Sequence, residues 1–142
     1  MADAIRLSAA IVVVASAIGF LAISVATFAA PDRVRRFFEA FASSARTHFA
    51  EQAFRLVFGV ALVLHAPSMW QPLVFRVVGW TIVVTAVLLC CVPWRWHHRF
   101  AQRVMPTVYR HLRLFGVAVA AFAVLLLIGV VAGAGEGLRG SP

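Results

Sequence analysis

Four long apolar runs alternate with shorter polar stretches along the chain. The runs cover approximately residues 7–30, 52–66, 73–92 and 112–132. About 20 apolar residues in a helix, at 1.5 Å each, cross a hydrocarbon core of roughly 30 Å. The second run is the shortest, so its helix must also include Arg55, with the guanidinium extended toward the headgroups. The pattern therefore predicts four transmembrane helices.

The second and third runs are joined by a short link that ends at Pro72. Pro67 has no amide hydrogen to donate, and Pro72 restricts the conformation of the residue before it. One helix must therefore stop and the next begin within a few residues. Because so short a link cannot recross a bilayer, we expect the two helices to be antiparallel. His65 lies at the start of this turn, where we expect it to be hydrogen-bonded.

Two segments between the apolar runs show helical periodicity with one apolar and one basic face, at about residues 32–50 and 94–105. The apolar face of the first comprises Val34, Phe37, Phe38, Phe41, Ala45 and Phe49. That of the second comprises Trp96, Phe100, Ala101 and Val104, and Pro106 is expected to open the last helix. Helices of this kind lie in the headgroup plane of a membrane. The sequence predicts two such interfacial helices.

The polar faces of these two segments carry the candidate site residues. Their side chains are predicted to contact anionic lipid headgroups or an acidic partner, and they are Arg35, Arg36, Arg46, Arg95, Arg99 and Arg103. No Lys occurs in the chain, so every basic side chain outside histidine is a guanidinium.

Composition supports a membrane protein. The chain has 142 residues, 63% of them hydrophobic, and a mean hydropathy of +0.93. Soluble domains are roughly 45–50% apolar, so a soluble chain of this size could not cover its apolar surface. We predict one integral membrane domain, residues 1–142, of the all-α class. The net charge of +8 then concerns membrane orientation, and no nucleic-acid partner is expected.

The arginines are divided unequally between the two predicted sides. Ten lie on the side of the two interfacial segments: Arg33, Arg35, Arg36, Arg46, Arg55, Arg95, Arg99, Arg103, Arg110 and Arg113. The other side has Arg6, Arg76 and Arg139. Basic residues accumulate on the cytoplasmic side of membrane proteins. Both termini and the turn before Pro72 are therefore predicted to lie outside the cytoplasm.

Small residues mark expected helix contacts. In the first run, Ala15 and Gly19 lie four residues apart, and Ser16 and Ser24 are also small. In the last run, Gly129 and Gly133 lie four residues apart. Small residues at this spacing allow close approach of a neighbouring helix. The first run also invites a signal-peptide interpretation, but it exceeds the usual 7–15 apolar residues and Asp3 offsets the charge of the leader. We expect it to be retained.

The two halves of the chain resemble one another. Each contains a span, a proline, an arginine-rich segment and an arginine shortly before a glycine, at Arg55–Gly59 and at Arg113–Gly116. The halves would run in the same direction through the membrane, as two parallel hairpin-like repeats. Chance similarity between apolar helices is the alternative.

Chemistry-bearing residues are few. The predicted spans contain no Asp, Glu or Lys, which ion or proton coupling normally requires. The vicinal Cys90 and Cys91 are expected to be apolar fillers, and the histidines His97, His98 and His111 lack a nearby carboxylate to complete a metal site. Haem would need a second axial ligand facing His65. No cofactor is predicted.

The arginine and glycine positions also carry a resemblance. The stretch from Arg55 to Pro72, the step Arg76–Gly79 and Leu112–Gly116 resemble a group of small bacterial inner-membrane proteins without assigned function. The similarity covers roughly residues 54–132. It implies a four-span fold in the bacterial inner membrane and no catalytic residues. With the arginine distribution, both termini are then expected in the periplasm.

A second resemblance concerns residues 46–51. This stretch is similar to the loop of the membrane-associated eicosanoid and glutathione metabolism proteins, which are also small four-span bundles, although their asparagine is absent here. It implies a glutathione-dependent enzyme with Arg46, His48 and Glu51 as its site residues.

The preferred functional prediction is a non-catalytic membrane protein, either an accessory or scaffold subunit of a larger assembly or a module that contacts lipids. Its expected partners are membrane lipids and a membrane protein or a second copy of the chain. The glutathione-dependent enzyme is the alternative, and a small channel or transporter is the second alternative.

Overall fold

The structure is a computed structural model that describes the backbone of residues 1–41 and 44–139. It describes their side chains except those of Ala2, Phe41, His97, Ala101 and residues 136–139. The apolar position predicted at Phe41 and the metal candidate His97 thus lie outside the described side chains.

The described chain is all-α. Its helices are α1 (Ala2–Ala29), α2 (Pro31–Phe41), α3 (Ala45–His65), α4 (Pro72–Cys91), α5 (Trp94–Arg110) and α6 (Leu112–Arg139), and a short 3₁₀ turn covers Ala66–Ser68. Four of them, α1, α3, α4 and α6, are long and apolar enough to cross a membrane. The predicted fold class is confirmed: the chain is an all-α membrane protein with four such helices.

The polar segments divide the bundle into two ends. The helices α2 and α5 lie at one end, here called the basic end. The link from Ala66 to Gln71, the start of α1 and the far part of α6 lie at the other, here called the turn end. Contacts place them together, since Gly133 of α6 lies against the backbone of Ser68 and Met1 lines the same groove as Leu64. The turn is tight, and Gln71 has a positive φ of 61° immediately before Pro72.

The first interfacial segment is shorter than predicted. The prediction of one helix over 32–50 is wrong, because α2 ends at Phe41 and residues 45–50 are the first turns of α3. Ser44 starts the new helix: its hydroxyl accepts the amide of Thr47 at 3.3 Å, and the Thr47 hydroxyl accepts the amide of Ser44 at 3.3 Å. This reciprocal cap satisfies amides that a continuous helix would not leave open.

The second interfacial segment is longer than predicted. Pro106 does not open the last helix but lies inside α5, which continues to Arg110. A proline removes one intrahelical hydrogen bond without ending a helix that is otherwise favourable. The break comes at His111, whose amide is shared between the carbonyls of Thr107 and Val108.

Helix packing follows a definite order. The pairs α3–α4 and α1–α6 pack along their lengths, and α1 also packs on α3. Among the described residues, the backbones of α4 and α6 hardly approach one another. A repeat axis would make α1–α6 equivalent to α3–α4, as found, but would also make α1–α3 equivalent to α4–α6. The packing departs from the second equivalence, and the repeat stays a prediction.

Small residues create the closest contacts, at positions that differ in part from those expected. Ala15 and Gly19 are exposed, and nothing lies within 4 Å of a Cβ built on Gly19. The expected helix contact is therefore absent at Ala15 and Gly19 but present at Ser16 and Ser24, because the buried face of α1 is the opposite one. That face comprises Ala9, Val13, Ser16, Ala17 and Ser24. On it, the Ser24 hydroxyl donates to the carbonyl of Gly116 on α6 at 2.8 Å.

Gly129 and Gly133 on α6 do permit a close approach, by the turn at both glycines and by the Phe75 ring of α4 at Gly129. The amide of Trp70 donates to the Gly129 carbonyl at 2.9 Å, and Met69 lies against both glycines. The turn is thereby fixed onto α6 at the turn end of the bundle.

Candidate functional site

The predicted site arginines all lie at the basic end. Each has an exposed side chain, and they are Arg35 and Arg36 on α2, Arg46 in the first turn of α3, and Arg95, Arg99 and Arg103 on α5. Within the described residues, the single ion pair of this set joins Arg35 to Asp32, at 3.9 Å. The basic end therefore presents positive charge that the chain itself scarcely neutralises.

The three arginines of α5 form one stripe. Arg95, Arg99 and Arg103 follow one another at four-residue intervals, so they lie on one side of the helix. The apolar side chains Trp96 and Phe100 on the same helix are largely exposed as well. A helix that exposes both a basic and an apolar face has the properties of a membrane-surface helix. Its position in the headgroup plane stays a prediction.

Arg35 belongs to a pocket that the sequence did not reveal. The pocket has a volume of about 550 Å³ and lies where the start of α2 meets the end of α5 and the start of α6. Its polar residues, here called the arginine pocket, are Arg35, Tyr109, Arg110, His111 and Arg113. Sequence reasoning counted Arg110 and Arg113 only as orientation signals. The signal available in the sequence was that both follow the second arginine-rich segment, residues 94–105.

Arg35 and Tyr109 hold the two walls of the pocket together. The Arg35 guanidinium donates to the Tyr109 carbonyl at 3.4 Å, and the Tyr109 hydroxyl donates to the Arg35 carbonyl at 3.4 Å. The guanidinium carbon also lies 5.9 Å from the centroid of the phenol ring, within the range of a cation–π contact. These contacts fix Arg35 beside the first turn of α6.

The phenol of Tyr109 is electrostatically coupled to α2. Burial raises its pKa, the Glu39 carboxylate raises it further, and the Arg35 guanidinium acts in the opposite direction. The hydroxyl is therefore protonated at neutral pH and can serve as a donor.

The pocket can act as an anion receptor. Guanidinium groups offer several N–H donors in a planar arrangement that matches carboxylate and phosphate oxygens. The floor of the pocket is formed by Thr27, Phe28, Leu112 and Leu114, and the Thr27 hydroxyl already donates to the Ser24 carbonyl at 2.7 Å. The side-chain donors that remain for a ligand are the arginines and the His111 imidazole, beside an apolar floor.

The residues implied by the glutathione resemblance are not brought together. Arg46 is exposed, whereas His48 is buried with its Nε2 3.2 Å from the Leu89 carbonyl of α4. A carbonyl only accepts, so that nitrogen is the donor. Glu51 pairs with Arg55 at 3.5 Å. His48 and Glu51 thus have different partners, and Arg46 is exposed.

The remaining chemical candidates lie apart. Among the described residues, no three His, Cys, Asp or Glu side chains come together as metal ligands. The Gln102 amide donates to His98 at 3.0 Å, and Cys90 and Cys91 are exposed free thiols. His65 is buried, but neither ring nitrogen has a hydrogen-bond partner in the described part of the chain, so the hydrogen bond predicted for it is not formed.

The fold and this site define a class: an all-α membrane protein of four long helices with an arginine-rich end. Searches of protein-family models, curated proteins and solved structures find no match to the chain.

Proposed function

We propose that the chain is a non-catalytic multi-pass protein of the bacterial inner membrane whose basic end faces the cytoplasm and binds anionic lipid headgroups. In this role it serves as a lipid-contacting module or accessory subunit of a larger membrane assembly. The observation that carries the proposal is the arginine pocket, where three guanidinium groups from α2, α5 and α6 line one recess.

Electrostatics favours a lipid as the ligand of the pocket. The cytoplasmic leaflet is negative, and each arginine near it gains about 1 kcal/mol of attraction. The pocket combines guanidinium groups with the apolar side chains Phe28, Leu112 and Leu114. That combination fits a phosphate with the first part of its glycerol and acyl groups, as a lipid presents them.

The stripe on α5 has a different part in the proposal. Arg95, Arg99 and Arg103 are exposed, so their attraction to headgroups is screened within roughly 8 Å at physiological salt. Of the pocket arginines, Arg35 is held by Tyr109, and Arg110 and Arg113 line the same recess beside it. We therefore expect the stripe to supply a salt-sensitive attraction and the pocket to supply a preference that persists at higher salt.

The test measures lipid preference directly. The purified protein is reconstituted in mixed bilayers, and spin-labelled phosphatidylglycerol and phosphatidylcholine report the lipid selectivity at its surface. Wild type should prefer phosphatidylglycerol. The triple variant Arg35→Gln, Arg110→Gln, Arg113→Gln should lose most of that preference, by up to roughly fivefold per arginine at 1 kcal/mol each. Arg95→Gln, Arg99→Gln, Arg103→Gln should remove the salt-sensitive part while leaving insertion intact.

Arginines of the turn end provide the matched control. Arg6→Gln with Arg76→Gln removes charge from the opposite end and should leave the selectivity unchanged. A wild-type protein without selectivity, or equal losses in the control, would contradict the proposal. So would conjugation of glutathione to an electrophile that His48→Ala abolishes, because the chain would then be an enzyme.

A further inference from the structure

A second recess lies inside the bundle, toward the basic end. It has a volume of about 510 Å³, and all six helices contribute to its lining. Its inner wall is a cluster of three rings, Phe20, Phe58 and Phe122, with centroids 5.5 Å, 5.8 Å and 6.4 Å apart. Phe100 and Val104 of α5 line it at the basic end. We call this recess the aromatic cavity.

The cavity exists because two helices are held apart. Ile82 of α4 and Phe122 of α6 both line it, and the backbones of these two helices hardly approach each other in the described chain. At the turn end, the Phe75 ring of α4 lies over Gly129 of α6. The cavity therefore lies where the backbones of α4 and α6 are separated.

One ion pair borders this otherwise apolar space. Glu51 and Arg55 line the cavity, 3.5 Å apart, and each side chain is about one-third exposed. A guanidinium has five N–H donors, so the pairing with Glu51 leaves donors for a second acceptor. An apolar cavity with a cation on its wall matches a ligand with an apolar tail and an acidic head.

We propose that the aromatic cavity binds one acyl chain of an anionic amphiphile, with its carboxylate or phosphate at Arg55 and its chain between Phe20, Phe58 and Phe122. The site is separate from the arginine pocket and does not depend on it. The tail enters between α4 and α6, and the head stays at the basic end, where Arg55 and the headgroups lie.

The volume and depth of the cavity fit this occupant. Its 510 Å³ falls within the roughly 300–1,000 Å³ of small-molecule sites. Phe122 lies ten residues beyond the start of α6, so the cavity reaches about 15 Å into the bundle. Water is disfavoured by a wall of rings with few polar partners.

Photolabelling tests the proposal. The protein in phosphatidylcholine nanodiscs is exposed to stearic acid that carries a diazirine near its chain end, and labelled peptides are located by mass spectrometry. We expect saturable labelling of the peptides around Phe58 and Phe122, suppressed by excess unlabelled stearate. A phosphatidylglycerol with the same diazirine in its acyl chain is the second probe. Saturable cavity labelling by either probe supports the site and tells a free fatty acid from a phospholipid.

Two pairs of variants make the test specific. Ile82→Trp should fill the cavity and reduce labelling at least tenfold, whereas Val84→Trp, on the exposed face of the same helix, should not. If Ile82→Trp does not give folded protein, Ile82→Phe replaces it. Arg55→Gln should weaken the binding of the acid, measured by saturation of labelling, about tenfold. The control Arg76→Gln, at the turn end, should leave that binding unchanged.

Three results would overturn the proposal. The first is labelling that does not saturate and spreads evenly over the exposed helix faces. The second is equal labelling in Ile82→Trp and Val84→Trp. The third is a methyl stearate probe that saturates the cavity as readily as the acid, which would refute the place of the head at Arg55. Failure of the lipid-selectivity test at the arginine pocket would leave this site untouched.

Discussion

Gly59 and Gly79 are opposite each other where α3 crosses α4. A Cβ on Gly79 would lie 3.0 Å from the Gly59 carbonyl oxygen and 3.0 Å from the Val63 amide nitrogen. Backbone atoms cannot rotate away as a flexible side chain can, so the two helices would have to separate. Close packing of small residues is what joins helices in a membrane, where apolar burial offers little between them.

We predict that Gly79→Ala destabilises the bundle. Alanine gains about 1 kcal/mol in helix propensity, but overpacking at a tight contact costs about 1–3 kcal/mol, and the second effect should dominate. Thermal unfolding in mild detergent measures the net change. Gly19→Ala is the matched control, because nothing lies within 4 Å of its new Cβ, and it should be neutral or slightly stabilising. A stabilised Gly79→Ala would refute the close crossing.

Single residues were predicted from the sequence only as far as their neighbours in the chain decide their position. The exposed arginines on α2 and α5 follow from helical periodicity. The arginine pocket does not, because Arg35 and Tyr109 are 74 residues apart and meet through tertiary packing. The ring cluster of Phe20, Phe58 and Phe122 could not be predicted for the same reason.

At the level of elements, the start of α3 shows what periodicity misses. The apolar pattern of the first interfacial segment continues through Ala45 and Phe49, which suggested one helix to residue 50. Periodicity does not reveal a break between two helices when the apolar positions of the second continue the pattern of the first. The signal for the break was Ser44, followed three residues later by Thr47, a variant of the sequence that caps a helix start.

We predict that Ser44→Ala loosens the first turn of α3. Loss of an N-cap costs about 1 kcal/mol, and here it leaves the Thr47 amide without its acceptor. Hydrogen exchange at the amides of Thr47 and His48 should become faster by roughly fivefold for each 1 kcal/mol. Ser44→Asp restores an acceptor and should restore protection. Thr81→Ala, on the exposed side of α4, is the control without a cap. Unchanged exchange in Ser44→Ala would contradict the assigned cap.

For the whole molecule, the lengths of the apolar runs were sufficient to predict the number of spans. The prolines were sufficient to predict the tight turn before Pro72. The order of helices around the bundle was not predictable. Lipid chains are as apolar as the helix surfaces, so burial does not tell a sequence which faces meet. The separation of α4 from α6, and with it the aromatic cavity, comes from that unpredicted order.

The orientation of the bundle is a prediction of the charge distribution. In the structure, the ten arginines that the sequence assigned to one side lie at the basic end. The other three lie at the turn end: Arg6 near the start of α1, Arg76 near the start of α4 and Arg139 at the end of α6. Cytoplasmic loops of membrane proteins are enriched in arginine, so the basic end should be cytoplasmic and both termini periplasmic.

Reporter fusions decide the orientation. Alkaline phosphatase, which is active only in the periplasm, should be active when fused after Pro142 and inactive when inserted at Ser44, where α2 passes to α3. A fluorescent protein that folds only in the cytoplasm should give the inverse result.

Orientation is set by the sum of basic residues near the span ends. The variant Arg95→Gln, Arg99→Gln, Arg103→Gln retains seven of the ten arginines, so it should keep the same topology. Phosphatase activity at Ser44 with none at Pro142 would place the arginine pocket outside the cytoplasm, and the proposed contact with the negative inner leaflet would fail with it.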